Sequence, residues 1–369
     1  MRILIAHPFG IGDVLFSLPL VYAIREADPK GYLGYLCNRR TEELVAAWPS
    51  CDQHFVFEKD EFRSAWRESK RTAIQSLLKV IRPLREQRFD VLLDLSLGWH
   101  YGFIAGLIGI KTRIGFDYKG RGRFLTHRVP IQGFHTQPVA GYYLQLLSPL
   151  GVPRPSCPRS SFELPLSVED QLETFLRQNR IPPGEPLIGI VPGGGTSWGP
   201  YARFKQWPVE KFAQVADQVS SRYGARIVLI GDQQEASLCR GVAHHMTSGY
   251  HLAIQVPTLL VLAGLLKRCQ VVIGNDSGPL HLAAAVGAKT VALFGPVDAS
   301  VYGPMPLTVS GAAAGLPLHR VVVKGLACHP CYQGFRFPPC PWDSACLKQL
   351  ETSQVLAAVT ELLRNNGCT

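Results

Sequence analysis

The sequence predicts an α/β fold made of two domains, each built on a parallel sheet crossed by helices. Short β-branched or aliphatic runs alternate with amphipathic stretches through most of the chain, a pattern typical of parallel sheets. The chain has 369 residues, more than one hydrophobic core usually supports, so two domains are expected. Its composition, 46% hydrophobic and 18% charged residues, is globular and provides apolar material for two cores.

Four strands are expected in each half of the chain. In order, they are Arg2 to Ala6, Tyr32 to Cys37, His54 to Phe57, Val91 to Leu95, Leu187 to Val191, Arg226 to Ile230, Val271 to Gly274 and Thr290 to Phe294. Amphipathic patterns such as Val209 to Arg222 separate them and predict the crossing helices. A last amphipathic helix is expected from Ser353 to Arg364, with Thr352 as its N-cap.

The boundary between the domains is expected where the chain is rich in proline and small residues, from Gly151 to Pro158. The linker region is therefore assigned near residues 151–185. The first domain is expected at residues 1–165 and the second at residues 180–345.

The formal charge of +10 and the pI of about 9.2 favour an anionic partner, which can be a nucleic acid, a phosphate-bearing substrate or a membrane surface. One basic cluster contains Arg63, Arg67, Lys70, Arg71, Lys79, Arg82, Arg85 and Arg88. It falls on an amphipathic helix, so a solvated helix face is its simplest interpretation. A second cluster, which contains Lys119, Arg121, Arg123 and Arg128, lies in a glycine-rich, non-periodic segment. Such a loop more often contacts a ligand than supports a core.

No export signal or membrane span is expected. The start of the chain, from Met1 to Pro8, has too short an apolar run for a signal peptide. The longest weakly polar stretch, Gly98 to Ile110, falls short of the roughly 18 residues that cross a bilayer. Ten cysteines in an unexported protein favour reduced thiols. Four of them, Cys328, Cys331, Cys340 and Cys346, could form a zinc site, but the second pair lacks the tight C-x2-C spacing of strong sites, so we expect no bound metal.

In a doubly wound sheet, ligands bind where strands end and helices begin. The first such loop runs from His7 to Asp13. Gly10 and Gly12 match the start of a dinucleotide fingerprint, but Leu15 stands where its third glycine is needed, so a bound NAD is not favoured. Asp13 is a candidate base that the helix dipole keeps ionised, or simply an N-cap.

Two further loops follow predicted strands in the second half of the chain. Gly193, Gly194 and Gly195 expose backbone donors, and the Lys205 ammonium suits a diphosphate; the alternative is a flexible turn with a surface lysine. The loop from Asn275 to His281 is a good anion cradle, in which Ser277 and Gly278 offer N–H groups and Asp276 and His281 flank them. A capping role for Asp276 or Ser277 is the alternative.

Taken in this order, these loops resemble the family 9 glycosyltransferases, the lipopolysaccharide heptosyltransferases. The resemblance covers residues 1–300 in these blocks: Ile3-Leu4-Ile5 with Gly12-Asp13, Lys205-x-Trp207-Pro208, Gly231 with Glu235, Asn275-Asp276-Ser277-Gly278-x-x-His281, and Leu293-Phe294-Gly295-Pro296. It implies a GT-B fold, in which two Rossmann-like, doubly wound domains face a cleft. It also implies that the C-terminal helix, residues 353–366, returns to complete the first domain.

The same resemblance implies the reaction and its residues. The donor would be ADP-L-glycero-β-D-manno-heptose and the acceptor the lipopolysaccharide inner core, with inversion at the anomeric carbon and no essential metal or other cofactor. Asp13 matches the general base. The implied donor-binding residues are Thr196, Ser197, Lys205, Glu235, Asp276, Ser277, Gly278 and His281. The implied acceptor side contains Gly12, Lys119, Arg121 and Arg123. The chain departs from the family's short form by the extra residues from Trp198 to Phe204, which leaves open which hydroxyl there meets phosphate.

A protein of this kind is expected in the cytoplasm, as a peripheral protein of the inner membrane face at most. Three other interpretations remain. A nucleotide-sugar-binding protein on the same fold would not need Asp13 as a base, and a GT-B nucleotide-sugar epimerase would turn over the donor without an acceptor. A nucleic-acid binder is suggested by the charge, but the sequence contains no recognised RNA- or DNA-binding module.

Overall fold

The computed structural model describes residues 1–305 and 318–364, apart from the side chains of residues 59, 60, 196 and 197. The chain divides into two compact units. The first contains Met1–Phe134 and Val139–Pro158, and the second contains His135–Pro138 and the residues from Arg159 onward. The division after Pro158 lies within the range assigned to the linker.

The first unit is built on a six-stranded parallel sheet in the order β3-β2-β1-β4-β5-β6. Its strands are β1 (Arg2–Ala6), β2 (Tyr32–Cys37), β3 (Gln53–Val56), β4 (Val91–Asp94), β5 (Thr112–Tyr118) and β6 (His127–Ile131). Its helices are α1 (Ile11–Phe16), α2 (Leu18–Ala27), α3 (Glu42–Ala46), α4 (Lys59–Glu68), α5 (Lys70–Glu86), α6 (His100–Leu107) and α7 (Val139–Gln145). Consecutive β1 residues from Ile3 to Ala6 are all buried. Because neighbouring strand side chains point to opposite faces, both faces of this sheet are covered.

The second unit repeats the plan with the order β12-β11-β10-β7-β8-β9, again all parallel. Its strands are β7 (Leu187–Val191), β8 (Arg226–Gly231), β9 (Tyr250–Ile254), β10 (Val271–Asn275), β11 (Thr290–Phe294) and β12 (His319–Val323). Its helices are α8 (Ser167–Gln178), α9 (Val209–Tyr223), α10 (Ala236–His245), α11 (Leu259–Arg268), α12 (Gly278–Ala285), α13 (Ala299–Tyr302), α14 (Ala345–Lys348) and α15 (Thr352–Arg364). Two doubly wound α/β units are thus confirmed.

Helix α15 belongs to the second unit, which corrects the expectation that it completes the first. Its buried side chains, among them Val355, Val359 and Leu362, lie in one core cluster with residues of β7, β10 and α9. The helix contacts α9 and β12. An amphipathic helix packs where an apolar surface is available, and the face of the second sheet beside β12 provides one.

Both sheets have a topological switch point, where successive strands depart in opposite directions. In the first unit it lies between β1 and β4, and in the second between β7 and β10. Loops that follow these strands are the usual ligand sites of such sheets. Within the described residues, no helix is both long enough and apolar enough to cross a membrane.

Candidate functional site

Three of the predicted donor loops follow neighbouring strands of the second sheet. The loops after β10, β7 and β8 begin with Asp276, Pro192 and Asp232, and these strands are adjacent in the order β10-β7-β8. Because the sheet is parallel, the three carboxyl ends meet at one edge. The residues that the sequence scatters over about eighty positions therefore line one edge of a single unit.

A buried network of three ionisable side chains lies at this edge. The Lys205 ammonium is 2.8 Å from Asp276 Oδ2, and His281 Nε2 is 3.1 Å from Asp276 Oδ1. Their side chains are 3%, 8% and 7% exposed. The Lys205 Nζ also lies 4.3 Å from the ring centroid of Trp198. Lys205 is therefore a buried, paired cation, and the alternative of a surface lysine is wrong.

The charge of Asp276 is fixed by its partners. Burial alone would raise the pKa of this carboxyl group, but the Lys205 charge and the His281 hydrogen bond outweigh it and lower the pKa to about 2. Asp276 is therefore ionised at neutral pH. In the structure, Asp276 neutralises Lys205, the residue that the sequence predicts to contact the diphosphate.

The start of helix α12 combines free backbone donors with an unpartnered hydroxyl. Ser277 is the N-cap, Gly278 is the first helical residue and Pro279 the second, where its missing N–H costs nothing. Ser277 Oγ is buried and forms no hydrogen bond among the described residues. The first N–H groups of a helix have no partner within the helix, so such a start with a spare hydroxyl is a suitable site for a phosphate oxygen.

Asn275 holds two of the loops together. Its Oδ1 accepts a hydrogen bond from the Trp207 backbone at 3.1 Å, and its Nδ2 donates to the Pro192 carbonyl at 2.8 Å. The residue is completely buried. This amide therefore positions the chain around Lys205 rather than contacting a ligand, a role that the sequence motif alone does not distinguish.

Glu235 faces the glycine loop after β7. Its Oε1 accepts a hydrogen bond from the Gly195 N–H at 3.4 Å. A Cβ atom on Gly193 would lie 1.9 Å from the same oxygen, so this close approach requires a glycine. Burial, and then the nearby Asp232, raise the pKa of the Glu235 carboxyl group. The predicted ribose contact thus lies beside the predicted phosphate loop.

The extra residues after this loop pack on the cysteine-rich segment. Trp198 contacts Tyr332 and Phe337 with ring centroids 5.1 Å apart in both cases, and Tyr201 stacks on Phe337 at 5.6 Å. The extra residues and the cysteine-rich segment therefore share one aromatic cluster. The side chains of Thr196 and Ser197, which the sequence assigns to phosphate, lie outside the described residues.

In the first unit, Asp13 follows β1 at the switch point. Gly10 occupies the N-cap position and Asp13 is the third residue of α1, so the alternative that Asp13 is the N-cap is wrong. A carboxylate in the first turn is stabilised as an anion by the helix dipole. Gly12, the predicted acceptor contact, precedes it in the same turn.

The structure adds Asp94, at the end of β4, on the other side of this switch point. Its side chain is buried, its Oδ1 accepts a hydrogen bond from the Ser96 N–H at 2.9 Å, and its Oδ2 has no partner among the described residues. Burial raises the pKa of Asp94 to about 6. Asp94 is not among the residues predicted from the sequence, although an acidic residue at the end of an apolar run, Val91-Leu92-Leu93-Asp94, is a usable signal.

The basic segment that the resemblance assigns to the acceptor lies between β5 and β6. Lys119 and Arg121 lie beside the ring of Tyr118, at 4.9 and 5.7 Å from its centroid. Arg123 lies beside Trp99 and Phe124, at 5.1 and 4.9 Å. The three basic residues are exposed. Their flexible cations are therefore held near aromatic faces at the same sheet edge as Asp13.

The four clustered cysteines are free thiols. Burial, and then the neighbouring Cys328, raise the pKa of Cys331 to about 11. Among the described residues, no group of three or more His, Cys, Asp or Glu side chains is arranged to hold a metal ion.

Comparison with known proteins gives concordant results. A family model described as glycosyltransferase family 9 (heptosyltransferase) matches residues 77–318. The chain is similar to a lipooligosaccharide heptosyltransferase 2 of Campylobacter jejuni, with 27% identity over 99% of each chain. It is also similar to a lipopolysaccharide heptosyltransferase 3 of Escherichia coli, with 23% identity over 79% of this chain and 83% of the relative. The solved structure of E. coli ADP-heptose lps heptosyltransferase II has 19% identity and a TM-score of 0.76 over the whole of both chains.

Proposed function

Since the chain belongs to glycosyltransferase family 9, the heptosyltransferases, we propose that it transfers a heptose from ADP-L-glycero-β-D-manno-heptose to the lipopolysaccharide inner core. The chain is a glycosyltransferase with a GT-B fold. The donor, the acceptor and inversion at the anomeric carbon are the proposed part. They are supported by relatives named for lipopolysaccharide and lipooligosaccharide transfer and by a structural neighbour named for ADP-heptose.

The observation that carries the proposal is the convergence of Lys205, Asp276 and Ser277 at the start of α12. A nucleotide diphosphate needs cations, backbone N–H groups and hydroxyls within one site. The second unit offers the buried Lys205 ammonium, the α12 N-terminus and the unpartnered Ser277 hydroxyl at one sheet edge. Glu235, beside the same glycine loop, is the proposed contact for the ribose hydroxyls, and Thr196 and Ser197 are proposed for the phosphates.

In the proposed reaction, an acceptor hydroxyl oxygen attacks the anomeric carbon of the donor while the bond from this carbon to the phosphate oxygen breaks. Asp13 accepts the hydroxyl proton. ADP leaves with the bonding electron pair, and Lys205 stabilises the developing negative charge. This interaction is stronger in the transition state than in the bound donor, so it accelerates the transfer. One direct displacement inverts the anomeric carbon.

Gly12 and the exposed Lys119, Arg121 and Arg123 are the proposed acceptor contacts. A phosphorylated lipopolysaccharide core is strongly anionic, and cations at the sheet edge that carries Asp13 attract it. We propose a cytoplasmic location for the reaction, at the inner face of the inner membrane.

The test is Asp13→Asn. The change keeps the shape of the side chain and removes its basicity, and loss of a general base typically slows a reaction by about 10²- to 10⁴-fold. We expect transfer to fall by at least about a hundredfold while the melting temperature and the donor affinity stay unchanged. Transfer at a near-normal rate would contradict the role of Asp13 and favour a different base. Donor turnover without any acceptor would instead favour an epimerase.

The donor is tested by thermal shift with ADP-, UDP- and GDP-sugars, because a ligand that binds only the folded state raises the melting temperature. ADP-heptose should give the largest shift. Binding of ADP-heptose without any transfer to a lipopolysaccharide core would indicate a nucleotide-sugar-binding protein instead.

A further inference from the structure

Helices α4 and α5 form a basic hairpin that the proposed reaction does not use. The two helices pack against each other, and α5 contacts the edge strand β3. Along α5, only Ala73 and Leu84 are buried, and Val80 packs against the same core. The hairpin is therefore attached to the first unit along one narrow side.

The hairpin exposes three large apolar side chains. Trp66 on α4 is 47% exposed, and Ile74 and Leu78 on α5 are 48% and 54% exposed. Ile74 and Leu78 are one helical turn apart, so they lie on the same face of α5. Single exposed apolar residues are ordinary, but Ile74 and Leu78 together form an exposed apolar surface on α5. Trp66, whose ring centroid lies 6.0 Å from that of Phe62, adds a third exposed apolar side chain on the same hairpin.

Basic residues surround this apolar surface. Residues 61–88 contain eight basic and three acidic residues, so this short segment carries half of the +10 net charge of the chain. Arg71 precedes Ile74 by three positions and Arg82 follows Leu78 by four, which puts both cations on the exposed face. Arg82 pairs with Glu86 at 3.2 Å. In the described part of the chain, Lys70, Arg71 and Lys79 form no ion pair.

We propose that the α4–α5 hairpin docks on the surface of an anionic lipid bilayer. Trp66, Ile74 and Leu78 enter the boundary between headgroups and acyl chains, and the surrounding basic side chains meet the lipid phosphates. An amphipathic helix that combines an apolar face with Lys and Arg binds this boundary through both effects. A nucleic acid would use the cations but would leave the exposed Ile74 and Leu78 in water, so the bilayer fits the whole surface better.

The inference deepens the proposed function and rests on it for its biological setting, since a lipid-anchored acceptor lies at such a surface. The binding itself needs neither donor nor acceptor. Vesicle binding and transfer to a soluble acceptor are therefore separate measurements, and failure of one leaves the other standing.

The experiment is co-flotation of the full chain with vesicles of phosphatidylcholine that contain either no or about one third phosphatidylglycerol, at about 0.1 M salt. We expect binding only to the anionic vesicles. Arg71→Gln with Lys79→Gln should weaken it by about 30-fold, because each cation near an anionic surface contributes about fivefold. Ile74→Ser with Leu78→Ser should weaken it by about tenfold or more.

Matched controls lie in the second unit. Lys267→Gln with Lys324→Gln removes two exposed cations, and Leu166→Ser removes a leucine that is 95% exposed. These variants should bind like the unmodified chain, and every variant should keep its melting temperature. Equal weakening by the controls would mean non-specific charge attraction and would overturn the proposal.

Three other outcomes would also overturn it. The first is unchanged vesicle binding in both hairpin variants. The second is loss of vesicle binding only in Arg121→Gln with Arg123→Gln. The third is an unmodified chain that does not bind vesicles but binds a DNA or RNA duplex, with the hairpin variants losing that duplex binding.

Discussion

At the scale of single residues, the two switch points contain carboxylates in opposite electrostatic situations. Asp276 has two buried partners that lower its pKa, whereas Asp94 has a buried oxygen without a partner and a pKa raised to about 6. Burial is common to both, so the nearby positive charges decide the direction. This contrast leads to two predictions with different pH and charge dependence.

The first prediction concerns Asp94→Asn. The folded protein binds the Asp94 proton more tightly than the unfolded chain, because the pKa is raised from 3.8 to about 6. The contribution of this group to stability is therefore complete below about pH 4 and is lost as pH rises to about 6. Relative to Asp94→Asn, the free energy of unfolding of the unmodified chain should fall by about 2 kcal/mol between about pH 4.5 and about pH 7. Urea unfolding at both pH values measures the difference.

A control for that measurement is Asp170→Asn, which changes an exposed carboxylate on α8. The free energy of unfolding of Asp170→Asn should change with pH in the same way as that of the unmodified chain. If the free energy of unfolding of Asp94→Asn also changed with pH in the same way as that of the unmodified chain, the raised pKa of Asp94 would be wrong.

The second prediction separates the structural role of Lys205 from its proposed role in transfer. Lys205→Ala should lower the melting temperature, because removal of one partner from a buried ion pair typically costs about 3 to 5 kcal/mol. Adding Asp276→Asn removes the unpaired charge and should restore much of the stability. Transfer should remain about 10²- to 10³-fold low in both variants, the usual cost of a lost electrostatic contact to the leaving group. A double variant that recovered both stability and transfer would leave Lys205 a purely structural residue.

At the scale of elements, the sequence predicted the central strands better than the edge strands. The bounds of β1, β2, β7 and β11 are those predicted, because their residues are buried on both faces and form unbroken apolar runs. The strands β5, β6, β9 and β12 were missed. Each is the edge of a sheet or is partly exposed, so its composition is mixed, and β6 includes Pro130, which only an edge strand tolerates well.

In the candidate site, the sequence predicted the loops but not the contacts between residues that are distant in the chain. Glycines and helix starts marked the loops after β7 and β10 because backbone geometry restricts residue type locally. The pairing of Lys205 with Asp276 joins residues separated by about seventy positions, and nothing local indicates it. The packing of Trp198 on Phe337 was likewise outside the reach of local patterns.

The loop between β5 and β6 gives a prediction at this scale. Arg121→Glu with Arg123→Glu should raise the KM for a soluble phosphorylated acceptor by about tenfold or more, because each surface charge near an anionic ligand contributes on the order of 1 kcal/mol. The KM for the donor should stay nearly constant. Lys267→Glu with Lys324→Glu is the matched control in the second unit. Equal increases in both constants would indicate misfolding of the first unit rather than lost acceptor contacts.

At the scale of the whole molecule, the second unit, and not the first, depends on α15 for its core. Leu362 is 1% exposed and lies in the core of the second unit. Leu362→Ala should destabilise that unit by about 2 to 5 kcal/mol, the usual cost of such a cavity. Hydrogen exchange should accelerate in β12 and α9 and remain unchanged in β1 and β4. The control Ser353→Ala, on the exposed side of α15, should change neither the stability nor the exchange rates. Faster exchange in β1 and β4 of Leu362→Ala would mean that α15 packs on the first unit.

The position of α15 also orders the assembly of the chain during its synthesis. The first unit has all of its strands by Ile131 and can close its core while the ribosome is still adding residues. The second unit buries Ile188 together with Leu362 in one cluster, so its core stays open until α15 has been synthesised. Throughout that interval the apolar side of α9 is a surface that a chaperone can recognise. Slow translation of the residues up to α15 would therefore lengthen exposure of the second unit alone.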